Sequence, residues 1–149
     1  MPLRPALAPL LVLALLAPLR AVAGEPAAAP GSRFELSTEG SSLRLRAGER
    51  GVFVLTVKTR GGAHVSDEAP LKLLLQSAQL TPAKTRLGQA DSVARKQPGE
   101  AYVDPRFEVA FTAPRPGRAS LDAQLTFFLC MEERCERMER SVSLPVEVL

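Results

Sequence analysis

The chain has 149 residues, with 19 lysines and arginines against 16 aspartates and glutamates, one histidine and no tryptophan. No basic run interleaved with aromatics occurs, and Arg95-Lys96 is the only Lys/Arg pair of note, so nucleic-acid binding is excluded as a reading of the charge. A single histidine gives no Ser/His/Asp constellation, and no glycine-rich phosphate loop is present.

Met1 to Pro5 carries one positive charge, Arg4. Ala6 to Leu19 is then an apolar run of Ala, Leu, Val and Pro, Arg20 breaks it, and Ala21-Val22-Ala23 supplies the small-x-small exit of a signal peptidase site. Residues 1–23 therefore read as a cleavable signal peptide. The run falls short of the roughly 20 apolar residues that span a bilayer and contains prolines, which argues against a membrane anchor. The expected product is periplasmic or secreted, with no membrane span after cleavage. Arg4 and Arg20 leave with the signal, so the balance becomes 17 basic against 16 acidic residues, close to neutral. The remaining 126 residues suit one domain with its own core.

Residues 24–33, with EPAAAPGS at their centre, lack periodicity and read as a flexible leader. A β-pattern begins at Phe34 and Leu36 and continues at Leu43 and Leu45. Val52 to Thr59 predicts a strand with Phe53, Leu55 and Val57 on one face. Gly61 to Pro70 reads as a loop, and Leu71, Leu73 and Leu75 mark the next strand. Leu80 to Asp104 is the longest stretch without clear structure, and loops of that length are commonly functional covers or disordered. Arg106 to Thr112 alternates with Phe107, Val109 and Phe111 on one face. Ala119 to Cys130 predicts a long strand with Leu121, Ala123, Leu125, Phe127 and Leu129 inward, and Ser141 to Leu149 a last one. Met131 to Met138 is the only segment with a hint of helical period. Seven or so short strands with turns every eight to twelve residues predict an all-β, immunoglobulin-like antiparallel β-sandwich over residues 34–149, with a barrel as the alternative.

The chain has two cysteines, Cys130 and Cys135. In an exported protein an even number reads as one disulfide or one redox pair. Cys130 ends the long strand and four residues follow, three of them charged. Residues flanking such a loop in an antiparallel hairpin have Cα atoms ~4.5–5.5 Å apart, a separation a disulfide tolerates. The loop it closes is short, so its entropic contribution is on the order of 2 kcal/mol. A bond across a hairpin mouth has the accessibility of labile or catalytic disulfides, yet most disulfides of exported proteins are structural, and spacing leaves both readings open. The C-x4-C spacing is not the C-x-x-C of thioredoxin-like enzymes. Glu132, Glu133 and Glu136 disfavour a thiolate, whereas Arg134 and Arg137 favour it. His64, Met131, Met138 and the cysteines form an imaginable Cu(I) set. The simpler reading is a loop histidine and two methionines on a charged hairpin, and neither a metal nor a cofactor is expected.

The segment FFLCMEERCERMERSVSLPVEV resembles the end of the periplasmic N-terminal domain of DsbD, the thiol:disulfide interchange reductase. There too a strand enters a cysteine, a short polar loop and a second cysteine follow, and a final strand closes the domain. Gly62-Ala63-His64-Val65 leading to Pro70-Leu71-Lys72-Leu73 resembles that family's glycine-led loop into a strand, and Phe107-Glu108-Val109 followed by Pro116-Gly117 also fits. The resemblance spans about Phe34 to Leu149. It implies an immunoglobulin-like fold and a Cys130/Cys135 pair that exchanges electrons with thioredoxin-like or other periplasmic redox partners, with Cys135 as the attacking thiol. It further implies a shielding loop within Gln89 to Tyr102. That loop has no adjacent aromatic pair, only Tyr102, and the cysteines stand one residue closer than in the best-known members. DsbD continues into a transmembrane relay and a thioredoxin-like domain, so a free-standing version would receive its electrons from another protein. The alternative is a non-catalytic binding or structural module whose disulfide pins a hairpin.

Overall fold

The structure, a computed structural model, describes residues 32–149. The signal peptide at 1–23 and all but the last two residues of the leader at 24–33 lie outside the described residues. Ten strands form: β1 (Phe34–Ser37), β2 (Arg44–Leu45), β3 (Arg50–Thr59), β4 (His64–Val65), β5 (Lys72–Gln76), β6 (Thr81–Pro82), β7 (Arg86–Gly88), β8 (Arg106–Thr112), β9 (Gly117–Met131) and β10 (Arg134–Val148). One sheet runs β1-β3-β8-β6. The other runs β2-β10-β9-β5-β7, with β4 also pairing β9. The two sheets pack face to face, which makes the domain the all-β sandwich that the alternation predicts, not a barrel.

The alternating residues meet between the sheets because burying one face of each strand is the main driving force for the layer. Phe53, Leu55 and Val57 of β3, Phe107 and Phe111 of β8, and Leu73, Leu121, Leu125 and Phe127 of the second sheet are all buried. Phe34 of β1 meets Phe127 of β9 edge to face, with ring centroids 5.2 Å apart, and so ties the two sheets together. After β1 the chain keeps to the edge of β3 through Ser41, whose hydroxyl accepts the Val54 N–H at 2.8 Å. It then crosses to the other sheet as β2, which pairs in parallel with the last two residues of β10.

Three expectations are corrected. Met131–Met138 is not helical: Met131 ends β9, Glu132 and Glu133 form the turn, and Arg134 to Met138 begin β10 with largely exposed, mostly charged side chains. The segment from Gly61 to Pro70 is not all loop, because His64–Val65 forms β4. The stretch from Leu80 to Asp104 holds β6, β7 and a single 3-10 turn at Gln89–Asp91 before it becomes irregular. These pieces are two or three residues long, too short for a period to register.

The candidate site at the β9–β10 hairpin

The hairpin of β9 and β10 is long on both sides, and its register runs unbroken from Val148↔Gly117 to Arg134↔Met131. The turn contains only Glu132 and Glu133, tighter than the four-residue loop read from the cysteine spacing. Glu132 has a φ of 54°, the left-handed conformation that a two-residue hairpin turn demands at its first position. Cys130 and Cys135 lie directly opposite each other, one step below the turn-closing pair. They are joined as a disulfide, with Cα atoms 4.0 Å apart. That separation belongs to the closer, non-hydrogen-bonded kind of antiparallel pair.

The two sulfurs sit in different surroundings. Cys130 is only 4% exposed, while Cys135 lies on the exposed part of β10. Neither belongs to the cluster of side chains between the sheets. Alternation along β9 places Cys130 on the outward face, opposite the core-facing Leu129.

On the other side of β9, His64 of β4 pairs with Cys130, so its side chain shares the outward face with the disulfide. The His64 ring is stacked on Tyr102, with centroids 3.5 Å apart and planes 13° from parallel. Tyr102 belongs to the irregular stretch that leads into β8, and that stretch is tied down on both sides of the tyrosine. Asp104 accepts hydrogen bonds from the Thr59 hydroxyl at 2.6 Å and the Thr59 N–H at 3.1 Å. Lys96 pairs with Asp67 at 2.7 Å and holds its ammonium 5.9 Å from the Tyr102 ring centre. Hydrogen bonding and charge from Lys96 hold the Asp67 carboxyl below its usual value. The one aromatic residue of the anticipated cover loop therefore lands on the sheet neighbour of the covered cysteine.

The opposite face of the hairpin is different in character. Phe34, Leu129, Met131, Met138, Arg134 and Arg140 line most of a cleft of about 460 Å³ between β1 and β10. The Arg140 guanidinium lies over the Phe34 ring at 5.1 Å. Met131 and Met138 thus lie on one face of the sheet, and His64 with the disulfide on the other. The imagined Cu(I) set does not come together, and among the described residues no group of three or more His, Cys, Asp and Glu side chains converges. No described helix is long and apolar enough to cross a membrane.

Sequence reasoning found Cys130, Cys135 and their pairing across a hairpin. It placed His64 with the cysteines only in an imagined metal set, and missed its stack with Tyr102 and the Lys96–Asp67 tie. The Gly61-Gly62 turn before an apolar-polar alternation was the only signal for β4, and the approach of Tyr102 is a long-range contact with no local signature.

Fold and site together define an all-β sandwich with a disulfide at the tip of an edge hairpin. No family model and no curated protein matches the chain. Among solved structures, a conjugative transposon lipoprotein from Bacteroides eggerthii is similar at 9% identity and a TM-score of 0.38, over 74% of this chain and 96% of that one.

Proposed function

We propose that this protein is an exported thiol–disulfide exchange module, acting in the periplasm or outside the cell through Cys130 and Cys135. The observation that carries the reading is the division of the pair: Cys135 is exposed and Cys130 is covered, at the tip of a hairpin and outside the core. Exchange requires one sulfur within a partner's reach and a second held ready to resolve the mixed disulfide. The resemblance to the DsbD N-terminal domain points the same way.

In the reduced protein, the Cys135 thiolate attacks one sulfur of a partner disulfide. A mixed disulfide forms and the partner's other sulfur leaves as a thiolate. The Cys130 thiolate then attacks the Cys135 sulfur, which re-forms the Cys130–Cys135 bond and releases the partner as a dithiol. Two electrons have passed from the pair to the partner, and a dithiol protein restores the pair by the reverse steps. Thioredoxin-like proteins are the partner class this chemistry fits.

A structural clasp is the competing reading, and the burial of Cys130 favours it. The reduction potential of the pair in the purified protein separates the two. Exchange predicts a value of roughly −120 to −270 mV and a fold that survives reduction. Cys130→Ser should then trap partners through Cys135, and Cys135→Ser should not. A potential well below about −300 mV, or melting on reduction, would leave only the clasp.

A further inference from the structure

The outer edge of β10 has no strand beside it from Cys135 to Pro145 among the described residues, because β2 reaches only Glu147 and Val148. Its hydrogen-bonding groups have a defined direction. Glu147 and Leu149 send their N–H groups outward, to the Leu43 and Leu45 carbonyls at 2.9 and 2.7 Å. Antiparallel pairing alternates, so Cys135, Arg137, Glu139, Ser141 and Ser143 aim their N–H and C=O groups the same way. Pro145 shares this parity and spends its missing N–H on the open edge, as edge prolines do. Such an edge is a template for another strand.

We propose that the partner strand is β10 of a second copy, paired antiparallel about a two-fold axis at Met138. The observation that selects this occupant is the charge order Glu136-Arg137-Met138-Glu139-Arg140. Read against itself in reverse, it sets Glu136 opposite Arg140, Arg137 opposite Glu139, and Met138 opposite Met138. No like charges meet, and opposite charges facing each other across strands stabilise a pair. The backbone parity is compatible with this register. Arg137 and Glu139 face each other as a hydrogen-bonded pair, as do Cys135 and Ser141, and all four are residues whose groups point outward. Moving the two-fold axis by one residue, to Glu139, would keep that parity but set Glu139 against Glu139 and leave Arg137 opposite Ser141.

The surroundings accommodate the register centred on Met138. The turn residues Glu132 and Glu133 of the second copy come opposite Leu144 and Ser143, short of the point where β2 joins. Met138 lies on the cleft face, so the second copy's Met138 enters the cleft beside Phe34 and Met131. Arg140 donates to the Glu139 carbonyl at 2.8 Å, a contact of an exposed side chain that shares or yields the oxygen to an incoming N–H. Ser141 of the second copy is the residue beside Cys135, and its small side chain leaves the disulfide open on the outward face. The contact is isologous, as a two-fold dimer requires, and it stands whether or not the cysteine pair exchanges electrons.

Sedimentation of the purified protein across a range of concentrations tests it. The expected result is a concentration-dependent dimer that weakens at high salt, since exposed charge pairs are screened. Glu139→Arg should abolish it, because the new guanidinium would face Arg137 of the second copy. Arg137→Glu combined with Glu139→Arg should restore it, since the pairs are complementary again. Ser141→Pro, which removes an outward N–H as Pro145 does, should also abolish it, and circular dichroism checks that each variant is folded. A wild type that stays monomeric would overturn the proposal, including one whose edge is covered only when a redox partner is added. So would a dimer indifferent to Glu139→Arg, or one that the double exchange fails to restore.

Discussion

His64 stands directly opposite Cys130 in the β4–β9 ladder, so the only histidine of the chain is the sheet neighbour of the covered half of the disulfide. The stack of Tyr102 on that histidine makes the irregular stretch before β8 a flank of the disulfide. Tyr102→Ala should therefore speed reduction of the disulfide by dithiothreitol several-fold. It should cost only modest stability, about 0.5–1.5 kcal/mol for the aromatic pair, with limited burial lost besides because the residue is half exposed. Stopped-flow reduction with a denaturation curve checks both. An unchanged reduction rate would mean that the tyrosine guards nothing.

Glu132 carries the left-handed backbone of the two-residue turn, a conformation that costs an ordinary residue roughly 1–2 kcal/mol and glycine almost nothing. Glycine is also more disordered in the unfolded chain, which returns about 0.5–1 kcal/mol of that cost. Glu132→Gly should consequently raise stability by about 0.5–1 kcal/mol. The hairpin beneath it keeps its register, because Cys130–Cys135 and Met131↔Arg134 are untouched. A chemical denaturation midpoint at or below that of the wild type would show that the turn is not under strain.

Gly51 is a buried residue of β3 that pairs with Phe111 of β8. A methyl group placed there would come within 2.7 Å of the Phe111 ring and 2.8 Å of a Leu45 methyl. Both neighbours are themselves buried, so neither can swing into solvent. Gly51→Ala should destabilise the domain by roughly 1–3 kcal/mol, the usual cost of overpacking a filled core. Alanine at Gly99, where no atom lies within 4 Å but φ is 87°, would probe backbone strain alone and serves as the comparison. Denaturation of the two variants side by side checks this. If Gly51→Ala is the milder of the two, the contact is softer than the geometry implies.

The long strands were legible in the sequence for a simple reason. In β3, β8 and β9 one face is buried over many residues, and the two-residue period of Phe53, Leu55 and Val57, or of Leu121 through Leu129, repeats often enough to be read. The register of the hairpin was legible because two cysteines mark it. β4 and β6 were not, since a strand of two residues has no period, and their pairing is fixed by β9 and β8 far away in the chain. The four-residue estimate of the turn failed because cysteine spacing says where two residues meet but not how many pairs form beyond them. The setting of Cys130 was hidden for the same reason as β4. His64, Tyr102, Lys96 and Asp67 are brought together only by the crossing of two loops.

The tie between those loops has a pH dependence whose direction follows from Lys96. Its ammonium, by hydrogen bond first and charge second, lowers the Asp67 carboxyl below its ordinary value. A carboxyl lowered on folding contributes its full share above the unfolded value, near 3.9, and loses it as pH falls through the folded one. The segment from Lys96 to Tyr102 should thus be ordered at pH 5 to 6 and loosen below about 4. Both partners are exposed, so the effect belongs to local order and not to the global melt. The chain has one tyrosine and no tryptophan, so its fluorescence reports Tyr102 alone. An acid titration of that signal should show a transition below about pH 4 that is absent in Lys96→Met, while any change shared by both proteins comes from other groups. If Lys96→Met keeps the same transition, the ion pair does not hold the loop.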